Sequence, residues 1–206
     1  MRLTDIRFDD FDRLEVKPAW GHDDPELERH FYRHDGLFYK VWGPKFHVCD
    51  YVAVDGRFTT HEYRDRSSGI ASIDVGLIDA ETCPALVDLI WDDARLCRGY
   101  VLKEGRQFKH FNDVDPAFVE TICRKSLDAG YAITDFCPKN MIQFDGVPSL
   151  IDIDTVPTRL DRLDIEVERE KGCLRPHIFP AYREFILMNC NRRFRPESAE
   201  IAIEQR

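Results

Sequence analysis

No apolar run in this 206-residue chain approaches the roughly eighteen residues that a bilayer-spanning helix needs, so no membrane span is expected. Gly/Ser-rich linkers, internal repeats and low-complexity tracts are also missing, and the chain reads as one continuous fold. Positive charge is in deficit. Lys and Arg number 29 against 38 Asp and Glu, and a net charge of −9 excludes general attraction to nucleic acid or anionic lipid. There is no CxxC pair and no HExxH. The seven cysteines (Cys49, Cys83, Cys97, Cys123, Cys137, Cys173 and Cys190) are odd in number and scattered, which argues against a disulfide scaffold and a structural zinc site. With no signal peptide in view, a reducing cytoplasmic setting is expected, or a host cytosol for a delivered effector.

What is present is the balance of an ordinary globular protein, 43% hydrophobic and 33% charged. The front half is rich in short β-like runs. His34-Asp35-Gly36 reads as a hairpin turn between strands near 29–33 and 37–42, and 85–91, 92–94 and 96–102 read as a second hairpin. From Asp115 the spacing changes to that of a helix, with Asp115-Pro116 as start, Gly130 as stop and Phe118, Ile122, Cys123 and Leu127 on its apolar stripe. A hairpin follows, Met141 to Phe144 and Ser149 to Asp154, turning at Asp145-Gly146. A last helical pattern, within 176–194, carries Phe179, Tyr182, Phe185, Ile186 and Met188 as core residues. Strands first and helices later predict an α+β protein.

The segment 131–156, YAITDFCPKNMIQFDGVPSLIDIDTV, is the most informative. A hairpin turns the chain back on itself, so Asp135 and Asn140 before its first strand can meet Asp152 and Asp154 at the end of its second. Convergent carboxylates and a carboxamide suit a hard cation such as magnesium, together with substrate phosphates. Each of these residues is also at home in a surface turn.

The run Asp135-Phe-Cys-Pro-Lys-Asn140 resembles the DxxxxN catalytic loop of the protein-kinase-like superfamily. Leu150-Ile151-Asp152-Ile153-Asp154 resembles its metal-binding element, nearest in wording to aminoglycoside and choline kinase relatives. The resemblance implies a bilobal fold, with a β-rich lobe over 1–104 and a reduced helical lobe over 105–206. It implies ATP and Mg²⁺ as cofactors, Asp135 acting on an acceptor hydroxyl, and Asn140, Asp152 and Asp154 as metal ligands. Lys40, in LeuPheTyrLysValTrp, resembles the phosphate-gripping lysine of the third strand, and Glu62, after Thr59-Thr60, is its candidate partner. The strand and linker at 97–105 resemble the hinge, which places Lys103 and Glu104 at the adenine edge.

The match covers roughly 37–154 in element order, and the departures from it are specific. No GxGxxG precedes Lys40, acidic 20–25 stands in its place, Ile133-Thr134 replaces the usual His-Arg, and no APE-like element follows Asp152. The acceptor stays open between a small-molecule, sugar or lipid-headgroup hydroxyl and a protein Ser/Thr. Two further readings stand beside the kinase: a catalytically inert pseudokinase that binds a partner or a nucleotide, and a plain α+β interaction domain. A Cys–His nucleophile built from Cys137 with His110 or His177 has no spacing signature behind it. The histidines read as surface or capping residues.

Overall fold

A computed structural model describes residues 1–17, 26, 28–44, 70–155 and 157–190. The candidates Glu62 and 20–25 lie outside the described residues, as does Cys49. The chain mixes helices with mainly antiparallel sheet, as an α+β reading expects. The principal sheet has five strands, β1 (Asp12–Lys17), β2 (Arg29–His34), β3 (Leu37–Trp42), β4 (Leu86–Trp91) and β5 (Cys97–Lys103), in the order β1-β2-β3-β5-β4. A three-stranded sheet is built from β6 (Arg106–Gln107), β8 (Met141–Phe144) and β9 (Val147–Leu150), and a small ladder from β7 (Tyr131–Ala132) and β10 (Thr158–Arg159).

Both expected Asp-Gly hairpins form, for the same reason. Asp35 and Gly36 have φ of 48° and 73°, and Asp145 and Gly146 have 48° and 83°, the paired positive values that a type I′ turn demands. The turn fixes the register, so Lys40 lies opposite Tyr100 on β5, and Met141 lies opposite Leu150. Beside that pair, Val41 faces Gly99, where a Cβ would sit 2.0 Å from the Lys40 carbonyl oxygen; only glycine lets β3 and β5 approach there.

Alternation along β3 explains the position of Lys40. Tyr39 and Val41 belong to a small cluster with Ile90 and Val101, whereas Trp42 joins the main core with Tyr100 and Leu102. Lys40 shares the face of Trp42 and is only 4% exposed, so its ammonium needs partners. The same core takes in Ile122, Phe136, Met141, Leu150, Ile153, Tyr182 and Ile186. The sheet, the helices and the Asp135–Asp154 segment are therefore packed on one another.

Four helices are described: α1 (Ala71–Asp74), α2 (Pro116–Ala129), α3 (Ile165–Lys171) and α4 (Pro180–Asn189). Helix α2 starts as expected, with the Asp115 carboxylate accepting from the Ala117 N–H at 2.9 Å and Pro116 in the first turn, and it ends at Gly130. Its buried stripe runs Phe118, Val119, Ile122 and Ser126, and Leu127 is 54% exposed, contrary to expectation. Ser126 takes the core position because its hydroxyl meets the buried Tyr182 hydroxyl at 2.9 Å. Helix α4 is shorter than the predicted pattern, and Met188 is exposed rather than in the core. Strand β9 stops at Leu150 instead of running to Asp154. Beyond it the backbone turns, and Thr155 closes the turn with its hydroxyl on the Asp152 carbonyl. Among the described residues no helix is long and apolar enough to cross a membrane.

The Tyr182 hydroxyl also receives the buried Ile133 N–H at 2.8 Å. Tyr182→Phe is expected to cost about 1–3 kcal/mol by stranding that donor. Met188→Ala should stay within about 0.5 kcal/mol. Urea unfolding that finds equal losses would contradict this account of the packing.

Candidate functional site

Lys40 reaches across the core to the segment that follows β9. Its ammonium donates to Asp152 Oδ1 at 2.7 Å and to Asp154 Oδ1 at 2.6 Å, and it sits 5.6 Å from the Tyr100 ring and 5.8 Å from the Phe31 ring. The turn is held by side chains from the other elements. Tyr100 donates its hydroxyl to the Ile151 carbonyl at 2.8 Å and to Asp154 Oδ1 at 3.1 Å, and Ser72 of α1 donates to the Ile153 carbonyl.

The electrostatics follow from depth. Burial pushes the Lys40 ammonium toward its neutral form, but the two carboxylates outweigh it and hold the lysine protonated beyond its ordinary range. Burial also opposes the charge on Asp152, yet Lys40 overcomes it and keeps this carboxyl well below the usual range. Asp154 lies deeper, and burial, with the neighbouring Asp152 charge, leaves its pKa raised despite Lys40. Lys40 thus faces both carboxylates, and Arg29 adds a further positive charge that favours the ionised Asp152.

Asp135 forms a second centre. Its Oδ1 meets His177 Nε2 at 2.7 Å and the Cys137 thiol at 3.5 Å, while Oδ2 accepts from Asn140 Nδ2 at 2.8 Å and faces Lys139 Nζ at 3.3 Å. Burial pushes this carboxyl up, but the hydrogen bonds from His177 and Asn140 and the nearby Lys139 prevail and hold it below its ordinary value. It is an ionised, oriented acceptor. The two centres are joined through Asn140: its amide nitrogen serves the Asp135 side chain, and its carbonyl accepts the Ile151 N–H at 3.0 Å, one residue from Asp152. The hairpin thus ties the backbone of Asn140 to that of Ile151, beside Asp152.

His177 is the residue that sequence reasoning missed as a partner of Asp135. It stands 42 residues away, and no spacing signal connects them. The Cys–His nucleophile gains no support, because the Cys137 thiol is pushed up to about 12 by burial and by Asp135 and so stays protonated. His110 belongs to a capping turn, where the Asp113 carboxylate accepts its backbone N–H at 3.0 Å.

Lys103 and Glu104 are not brought to either centre. Lys103 lies opposite Leu37, about 10 Å along the strand from the Lys40–Tyr100 pair at the usual rise, with its ammonium 4.9 Å from the Phe144 ring. Glu104 pairs with Arg33. The backbone N–H groups of Lys103 and Glu104 are donated to Ala85 and Gly36, so neither is open to an adenine edge. No family model matches the chain, and no curated protein matches it.

Removing the lysine tests the pairing. Lys40→Met leaves two adjacent carboxylates in the core and is expected to lose about 3–5 kcal/mol at neutral pH. Part of that loss should return on acidification, as one carboxylate takes up a proton. The wild type should behave oppositely: the Asp152 contribution is present above its unfolded value and drains away as pH falls below about 4 toward its folded value. Urea unfolding across pH reads both, and a variant deficit that does not shrink in acid would contradict the pairing.

Proposed function

We propose that this chain is a small, atypical ATP- and magnesium-dependent phosphotransferase of protein-kinase-like type. It would move the γ-phosphoryl group to a hydroxyl, using the Lys40–Asp152–Asp154 centre and the Asp135 centre. The observation that carries this reading is the buried Lys40 on the third strand, bridging Asp152 and Asp154 at 2.7 and 2.6 Å. A purely structural core has no need for one ammonium and two carboxylates when apolar residues of similar volume serve stability as well or better.

The residues fit magnesium. Asp152 and Asp154 offer hard oxygens, and the Asn140 amide nitrogen is committed to Asp135, which leaves its amide oxygen to coordinate. When bound, the metal would supply charge neutralisation at the phosphates. Lys40, already pinned at the carboxylates, would exchange part of that pairing for phosphate oxygens and hold them in line. Asp135 would accept the hydrogen bond of the acceptor hydroxyl and aim its oxygen at phosphorus. Its lowered proton affinity suits orientation better than strong general-base action. Glu62, as the remaining partner of Lys40, is carried by the resemblance alone, and no role is assigned to Lys103 or Glu104.

A small-molecule, sugar or lipid-headgroup hydroxyl is the favoured acceptor class, because Ile151-Asp152-Ile153-Asp154 is nearest in wording to small-molecule kinase relatives. Incubation with γ-labelled ATP, magnesium and a cell lysate should place label in the small-molecule fraction. Label in macromolecules would reassign the acceptor to a protein. Asp135→Ala should keep nucleotide binding and lose about 10² or more in turnover. Nucleotide binding with no transfer to any fraction would instead establish the inert pseudokinase.

A further inference from the structure

The Asp135 centre carries more donor chemistry than acceptor orientation uses. Asp135 and Cys137 flank Phe136, whose fully buried ring packs on Phe179 and Tyr182 with centroids 4.6 and 5.0 Å away. The Phe179 N–H donates to the Phe136 carbonyl at 3.2 Å, so the segment bearing His177 is fastened to the loop bearing the other two. The outcome is one carboxylate oxygen, one sulfur and one imidazole nitrogen, all within 4.8 Å of one another. No other group of three such donors comes together this closely among the described residues.

We propose that Asp135, Cys137 and His177 form a zinc site, with water as the fourth ligand, and that zinc bound there blocks phosphotransfer by occupying the Asp135 carboxylate. A mixed N/S/O set is what zinc selects, and zinc bonds of about 2.0–2.3 Å in a tetrahedron place ligand atoms roughly 3.3–3.7 Å apart. The Sγ–Oδ1 distance of 3.5 Å already lies in that range. The Nε2–Oδ1 distance of 2.7 Å has to open by less than about 1 Å as its hydrogen bond is exchanged for two metal bonds. Zinc displaces the thiol proton to solvent, His177 coordinates as the neutral imidazole, and Asp135 remains a carboxylate. Lys139 and Asn140 stay on the other oxygen, Oδ2, and orient it from outside the coordination shell.

Asp135 and His177 have side chains 29% and 35% exposed, so an ion can enter from solvent. The two metals sort by chemistry: magnesium takes oxygen ligands and has little use for sulfur or imidazole, whereas zinc is drawn to both. The zinc site stands on this geometry alone, and only its inhibitory consequence rests on the phosphotransfer reading.

The test uses the full chain with Co²⁺ as the spectroscopic probe and zinc as its competitor. One equivalent of Co²⁺ should produce a thiolate-to-cobalt charge-transfer band that zinc bleaches. The band should vanish in Cys137→Ser and persist in Asp152→Ala. His177→Ala, at a partly exposed position, should weaken zinc binding about tenfold or more in competition with a chromophoric chelator. Absence of the band in the wild type, or its survival in Cys137→Ser, would overturn the site. Zinc binding in a protein that transfers no phosphate would uphold the site and dispose of the phosphotransfer reading. Transfer that continues undiminished with zinc bound would overturn the inhibitory half of the proposal.

Discussion

The whole arrangement hangs on a lysine that the sheet turns into the core. Lys40 shares the inward face of β3 with Trp42, and a lone ammonium at that depth is not tolerable. Its two partners come from the chain more than a hundred residues later, and in the low-polarity interior they bind it far more strongly than a surface pair would. The charge cluster therefore acts as a clasp between the five-stranded sheet and the turn after β9. Tyr100 and Ser72 fasten the same turn through its backbone carbonyls, so its position is set by three separate elements. An ion pair of this kind is a poor source of stability compared with apolar packing. On the phosphotransfer proposal, its placement is that of a preorganised polar centre for a nucleotide and a cation.

The second centre is built by a different logic. Phe136 is an apolar anchor, and its burial against Phe179 and Tyr182 leaves the neighbouring Asp135 half-buried, where its carboxylate meets His177 and Asn140. Asn140 then relays position from Asp135 to the backbone next to Asp152. On the phosphotransfer proposal, a substrate hydroxyl at the Asp135 centre and phosphates at the Lys40 centre would be held by parts of one continuous hydrogen-bonded segment, which is the positioning that phosphoryl transfer requires.

Much of this was legible from local chemistry. The two Asp-Gly dipeptides have few alternatives to a primed turn, and Asp115-Pro116 with Gly130 brackets a helix by capping alone. The backbone contact of Asn140 with Ile151 follows from the hairpin, and the burial of Lys40 fits its apolar neighbours in sequence. Long-range events were not legible. His177 meets Asp135 only because Phe179 packs on Phe136, and Ser126 displaces Leu127 from the buried stripe only because Tyr182 offers it a hydroxyl. The end of β9 was misread because Ile151-Asp152-Ile153-Asp154 alternates like a strand, while the bonds that decide its path come from Asn140, Tyr100 and Ser72.

The most direct test of the Lys40–Asp152–Asp154 centre is thermal unfolding of the wild type and Asp152→Ala with ATP alone, magnesium alone and both together. Ligand that binds only the native state raises the midpoint by mass action. A shift that requires ATP and magnesium together, and that disappears in Asp152→Ala while the variant still unfolds cooperatively, is the predicted result. No shift in the wild type under any of these conditions would contradict the nucleotide site at its root.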